Sequence, residues 1–132
     1  MKKWIALTGL MICIVSWLIS CRKETFIESP EARLSVSIDT LRFDTVFTTT
    51  GSVTGTIKIF NINDQKLKLS YIRVGGGQSS YFRMNADGTE AQEVRDLEIL
   101  ANDSLYLFVA VTINPNADRL PFLVEDSILI GY

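Results

Sequence analysis

The 132-residue chain contains no histidine, only two cysteines and only three prolines. Without an imidazole there is no Ser-His or Cys-His dyad and no His-ligated metal site. Both cysteines, Cys13 and Cys21, fall within the first 21 residues, so the rest of the sequence has no thiols to pair. Positive charge is also thin. Beyond residue 20 there are 11 Lys and Arg against 15 Asp and Glu. A mildly acidic body with scattered lysines offers no electrostatic footprint for nucleic acid.

Long hydrophobic runs are missing too, with one exception. Of the first 20 residues 14 are apolar, and their only charges are Lys2 and Lys3. Trp4 to Ile19 is interrupted only by Thr8, Gly9 and Ser16. A spanning helix needs about 20 apolar residues, so this run better fits the core of a signal peptide, forming a signal helix over 1–20. It ends at Leu18-Ile19-Ser20-Cys21, which resembles the bacterial lipobox, with Leu at −3, a small residue at −1 and then the Cys. The resemblance implies cleavage between Ser20 and Cys21 and a diacylglycerol thioether on the Cys21 sulfur. The protein would then be held in the membrane by lipid, since acyl chains contribute about 0.8 kcal/mol per buried methylene. Both tryptophans, Trp4 and Trp17, would leave with the leader.

Residues 21–33 (Cys21, then RKETFIESPEAR) read as a polar tether carrying Ser29-Pro30, with only Phe26 and Ile27 apolar in its body. Arg22-Lys23-Glu24 partly resembles a surface-export signal of Bacteroidota lipoproteins, so the expected location is the outer membrane, facing the periplasm or the exterior. From Leu34 the hydrophobic period becomes two. Alternation runs through Leu34–Ile38, Leu41–Thr45, Leu67–Val74 and Val94–Leu100, with further strand-like runs at Ile57–Phe60, Tyr81–Met84, the continuously apolar Ser104–Ile113 and Ser127–Ile130. Turn clusters such as Asn61-Ile62-Asn63-Asp64 and Asn85-Ala86-Asp87-Gly88 separate the runs. Seven or eight short strands without a 3.6-residue period predict an all-β fold over residues 34–132, an immunoglobulin-like antiparallel sandwich.

The order of these pieces resembles the ASH-type immunoglobulin-like domain. Leu41-Arg42-Phe43-Asp44-Thr45-Val46 matches its opening acidic-aromatic strand, and Ile57-Lys58-Ile59-Phe60-Asn61 its strand ending in Asn. Leu67, Leu69, Ile72 and Phe82 match the next elements, and Val109 to Pro115 the long strand ending in Pro. The family's Pro-Gly before that long strand is replaced by Ala101-Asn102-Asp103, and its closing strand has no counterpart before Tyr132. The resemblance therefore implies an unpaired sheet edge beside Ser127–Ile130, in a module that precedes other domains.

Carboxylates are the only acid–base candidates. Asp96 and Glu98, two apart, are expected on one face of a strand, and the adjacent Glu125 and Asp126 on opposite faces. A glycosidase pair must stand about 5 to 10 Å apart in a cleft, and a solvent-facing strand edge is the simpler reading. Asn61–Asp64 lacks the length, Gly and closing Glu of a calcium loop and reads as a hairpin turn. Gly75-Gly76-Gly77 has neither the Lys-Ser/Thr nor the helix of a phosphate loop and reads as a connection or bulge. Thr48-Thr49-Thr50 reads as an ordinary exposed stretch. Tyr71, Tyr81, Phe82, Tyr106 and Phe108 can supply a sugar platform, though for most of them a core role is more economical. The expectation is a non-enzymatic module with no cofactor and no metal, whose partners are the membrane and a protein or glycan. A glycan-binding or glycan-processing lipoprotein and a pilus-type subunit accepting a donor strand are its rivals.

Overall fold

The computed structural model describes residues 25–27, 30–47, 51–114, 116 and 123–132. The leader, Ser20, Cys21, Arg22–Glu24, Thr48–Thr50 and Pro115 lie outside the described residues. Among the described residues eight strands form: β1 (Leu34–Val36), β2 (Gly55–Asn61), β3 (Leu67–Val74), β4 (Phe82–Ala86), β5 (Thr89–Glu90), β6 (Glu93–Ile99), β7 (Ser104–Val111) and β8 (Ile128–Gly131). They build two antiparallel sheets, ordered β1-β2-β7-β4-β5 and β6-β3-β8. This is the immunoglobulin-like sandwich that the period-two pattern predicts. Among the described residues its helical content is one 3-10 turn at Gly77–Ser79.

The core follows from alternation. Along β7, Leu105, Leu107, Val109 and Val111 point inward and are buried, while Tyr106 and Phe108 point outward. Ile59, Met84 and Ala86 complete that inner face, opposed by Leu67, Leu69, Ile72 and Val74 from β3. Each fully buried aliphatic side chain contributes about 1.5–3 kcal/mol. In β3 the inward set changes phase between Leu69 and Ile72, and the paired β6 changes phase at the same level, between Leu97 and Val94. Asp96, at φ 55°, absorbs the change. Aspartate tolerates this left-handed conformation better than most residues, which lets both strands turn together without losing register.

Five of the seven connections cross between sheets; only β1–β2 and β4–β5 join neighbours in one sheet. The tight hairpin is β4–β5, where Asp87 (φ 51°) and Gly88 (φ 83°) form a two-residue turn between the Ala86–Thr89 pair. Asn61–Asp64, expected as a hairpin turn, is instead a crossing from β2 to β3. The reason is Asn61, which points into the core and is only 1% exposed. Its Nδ2 donates to the carbonyls of Gln65 (2.8 Å), Ile99 (3.1 Å) and Leu100 (2.8 Å). Its Oδ1 accepts from the amide and Nδ2 of Asn63. Asn63 in turn exchanges two hydrogen bonds with the backbone of Arg33.

Two other segments depart from expectation. Leu41–Thr45 is not a strand. The ladder with β2 ends where the Ser37 hydroxyl accepts the Lys58 amide, in place of a backbone carbonyl. The chain then lies over Gly55, where any Cβ would run into Leu41, and reaches β4 through a tilted Phe43–Phe82 contact with centroids 6.1 Å apart. Within the stretch read as a tether, Ile27 donates to the Lys66 carbonyl (2.9 Å) and Lys66 donates to that of Thr25 (3.2 Å). Ile27 and Ala32 pack against the core, so this stretch buries more than its polarity suggested.

Asn61→Ala strands the buried Ile99 carbonyl and the part-buried carbonyls of Gln65 and Leu100, and is expected to cost about 2–4 kcal/mol in urea unfolding. Asn61→Asp, which faces those carbonyl oxygens with an acceptor, is expected to cost at least as much.

Candidate functional site

The feature with the most functional potential lies where the sandwich is open. β8 is the outer strand of the three-stranded sheet, paired only with β3 among the described residues. Beside it a cleft of about 390 Å³ separates the sheets. Ile57, Leu107, Val109 and Phe82 form one wall, and Val74, Ile128 and Ile130 form the other. β1 and the segment after it supply Val36, Ile38, Leu41 and Phe43. Asp39, Thr40, Asp126 and Ser127 are the cleft's polar lining.

Asp126 fixes the start of β8. Its Oδ1 accepts the amides of Ser127 (2.7 Å) and Gly76 (2.9 Å), and its Oδ2 accepts the Ser80 hydroxyl (2.5 Å). Ser80 is buried, and its oxygen also accepts the Phe82 amide at 3.0 Å. The Gly75 amide donates to the Ser127 carbonyl at 2.7 Å. A Cβ on Gly75 or Gly76 would collide with Ser127 or with the Asp126 carboxylate, so close approach requires glycine at these two, while Gly77 sits in the left-handed region at φ 55°. Partial burial pushes the Asp126 carboxyl up. The Ser80, Ser127 and Gly76 donors outweigh it and hold the group below the ordinary aspartate value.

The other sequence candidates are dispersed. Asp96 and Glu98 sit exposed on the edge strand β6, and each is matched by a lysine. Lys68 Nζ is 2.7 Å from Asp96, and Lys66 Nζ is 4.0 Å from Glu98. The Asp96 carboxyl is held low chiefly by its hydrogen bond and charge attraction to Lys68. These pairs lie in solvent, not in a cleft. Glu125 is exposed beside the clamp, Asn61–Asp64 forms the crossing described above, and Thr48–Thr50, Ser20 and Cys21 lie outside the described residues. No cluster of three or more Cys, Asp or Glu able to hold a metal occurs among the described residues, and none of the helices there is long and apolar enough to cross a membrane.

The aromatics divide by face. Phe82 packs on the core, and Tyr71 lies over Gly131, capped by the Arg73 guanidinium 5.3 Å from its ring. Tyr106 (43% exposed) and Phe108 (39% exposed) stack outward at 6.1 Å and 10°, with Lys58 Nζ 4.6 Å above Tyr106. For these two the core role was the wrong expectation. The run Leu105-Tyr106-Leu107-Phe108 is apolar throughout, so nothing in it marked which pair faces outward. The Ser80–Asp126 clamp left no comparable trace, because its members are 46 residues apart.

Compared with protein-family models, curated proteins and solved structures, the chain returns no match.

The depressed Asp126 value has a defined sign. Its stabilisation is complete above the unfolded value near pH 4 and is lost as pH falls through the lower folded value. Asp126→Asn is therefore expected to unfold in less urea than the parent at pH 7, by about 1–2 kcal/mol. The gap between the two should narrow as the pH drops below about 4.

Proposed function

We propose that this chain is a lipid-anchored, non-catalytic module of the bacterial outer membrane, holding an immunoglobulin-like sandwich at the surface to present a binding partner or a following domain. The observation that carries the reading is Leu18-Ile19-Ser20-Cys21 at the end of a basic-then-apolar leader. A lipid on the Cys21 thioether gives durable attachment without a spanning helix. Supporting it, Asp96 and Glu98 on β6 are matched by lysines, and Asp126 is occupied in fixing β8. The domain also has no cysteine after position 21, as suits a fold that must rest on its core and buried hydrogen bonds in an oxidising compartment. The partial likeness of Arg22-Lys23-Glu24 to a surface-export signal favours an outer-membrane position.

One observation favours a second reading, glycan binding. Tyr106 and Phe108 form a flat outward strip on β7 with Lys58 beside it. Flat aromatic faces stack on the apolar faces of sugar rings, and the neighbouring Asn85, Arg83 and Glu90 around Phe108 offer hydrogen-bonding groups.

Metabolic labelling with palmitate separates the anchor from its absence. The parent is expected to incorporate label and fractionate with membranes, and Cys21→Ala to lose both; equal labelling of the two overturns the lipid anchor. Phe108→Ala tests the glycan strip. Binding to a glycan array that drops about tenfold or more in this variant supports it, and binding unchanged by the substitution removes it.

A further inference from the structure

We infer that the open side of β8 is a strand acceptor, taking one extended segment of a second polypeptide. That segment would run antiparallel to β8, with an apolar side chain at alternate positions and a basic residue near its C-terminal end. The inference deepens the partner-presenting reading and does not depend on the lipid anchor.

The backbone specifies an extended peptide. The Gly75 amide takes the Ser127 carbonyl, whereas the Val74 amide donates the other way, to Gln92. Adjacent residues of a strand direct their amide and carbonyl groups to opposite edges. Ser127, Leu129 and Gly131 therefore face β3, and Ile128 and Ile130 present their peptide groups to the open side. Among the described residues no strand lies there to receive them. The same two side chains point into the cleft, where both are only half buried in a wall otherwise built of core residues. A segment bonded to Ile128 and Ile130 would place every second side chain between the sheets. That satisfies the edge and fills the cleft in one step, the geometry of β-strand addition.

Charge sets the direction and the kind of partner. Asp126 and Glu125 stand at the N-terminal end of β8, and Asp39 joins Asp126 in the cleft lining. An antiparallel strand ends beside them, so a basic side chain there is favoured. A second copy of β8 is a poor occupant, because residues 124–132 (VEDSILIGY) hold two acids and no base. Two copies paired edge to edge would bring acids without a complementary charge.

The test uses the full chain in detergent and fluorescein-labelled nonapeptides alternating Val with Thr in both phases, each ending in Lys. Binding by one of the phases is expected, measured by anisotropy. N-methylation of the peptide amides facing β8 should weaken it about tenfold or more, since it removes backbone donors and leaves side chains intact. Ile38→Glu, at a partly exposed cleft position, should weaken it similarly, whereas Leu129→Lys, on the outer face, should leave it unchanged. Amide exchange adds a readout that mere stickiness would not move. The Ile128 and Ile130 amides should gain protection on binding, while that of Leu129 is protected throughout. The proposal is overturned by no binding in either phase, by binding indifferent to N-methylation, or by a dimer of the chain alone that protects the same two amides. Loss of palmitate labelling with peptide binding intact would sink the anchor and leave the acceptor standing.

Discussion

The fold depends first on one buried amide. Asn61 sits where β2 leaves its sheet, and it bonds to Gln65 at the entry to β3 and to Ile99 and Leu100 at the exit from β6. Through Asn63 it also reaches Arg33, just before β1. Immunoglobulin domains commonly join their two sheets with a disulfide against the core. This chain has no cysteine beyond position 21, and here a side-chain amide ties the sheets together at one end. Its two donor hydrogens are shared over three carbonyls, that of Ile99 buried and those of Gln65 and Leu100 part-buried. A low local dielectric makes losing them costly.

Asp126 acts at the other end of β3. It joins the loop after β3, the 3-10 turn and the start of β8, so β3 is held by a polar node at each end. The two nodes differ in kind. Asn61 is neutral and buried, and its contribution carries no titration of its own. Asp126 is charged and near the surface, so its grip on β8 follows pH. The strand that borders the open cleft is thus held by the titratable node of the pair.

Fold class was readable because alternation is a local property. Leu67-Lys68-Leu69-Ser70 states its face residue by residue, and Asp87-Gly88 states its turn by backbone preference alone. What the sequence concealed were relations between distant segments. Asn61–Asp64 has the composition of a turn whether it joins neighbours in a sheet or crosses between sheets, and only the burial of Asn61 distinguishes the two. The phase change at Asp96 was hidden because Leu69, Tyr71 and Ile72 supply apolar residues in both phases. Gly75 and Gly76 showed as glycines but without their cause, the Asp126–Ser127 pair some 50 residues away. The cleft has no linear signature, because its walls come from separate segments of the chain.

The short pairing of Thr25–Ile27 with Lys66 sets a distance scale. Read as a free linker, residues 21–33 would let the sandwich roam some 40 Å from the bilayer, at about 3.5 Å per residue. Once Thr25 is docked beside the start of β3, only the bonds from Cys21 to Thr25 are left, a span of about 14 Å. Were Cys21 lipidated as proposed, the end of the domain bearing Asn61, Lys66 and Leu100 would stay within that span of the headgroups. The Asp126 end would then be turned toward bulk solvent, and what would pass for a leash becomes an orienting foot.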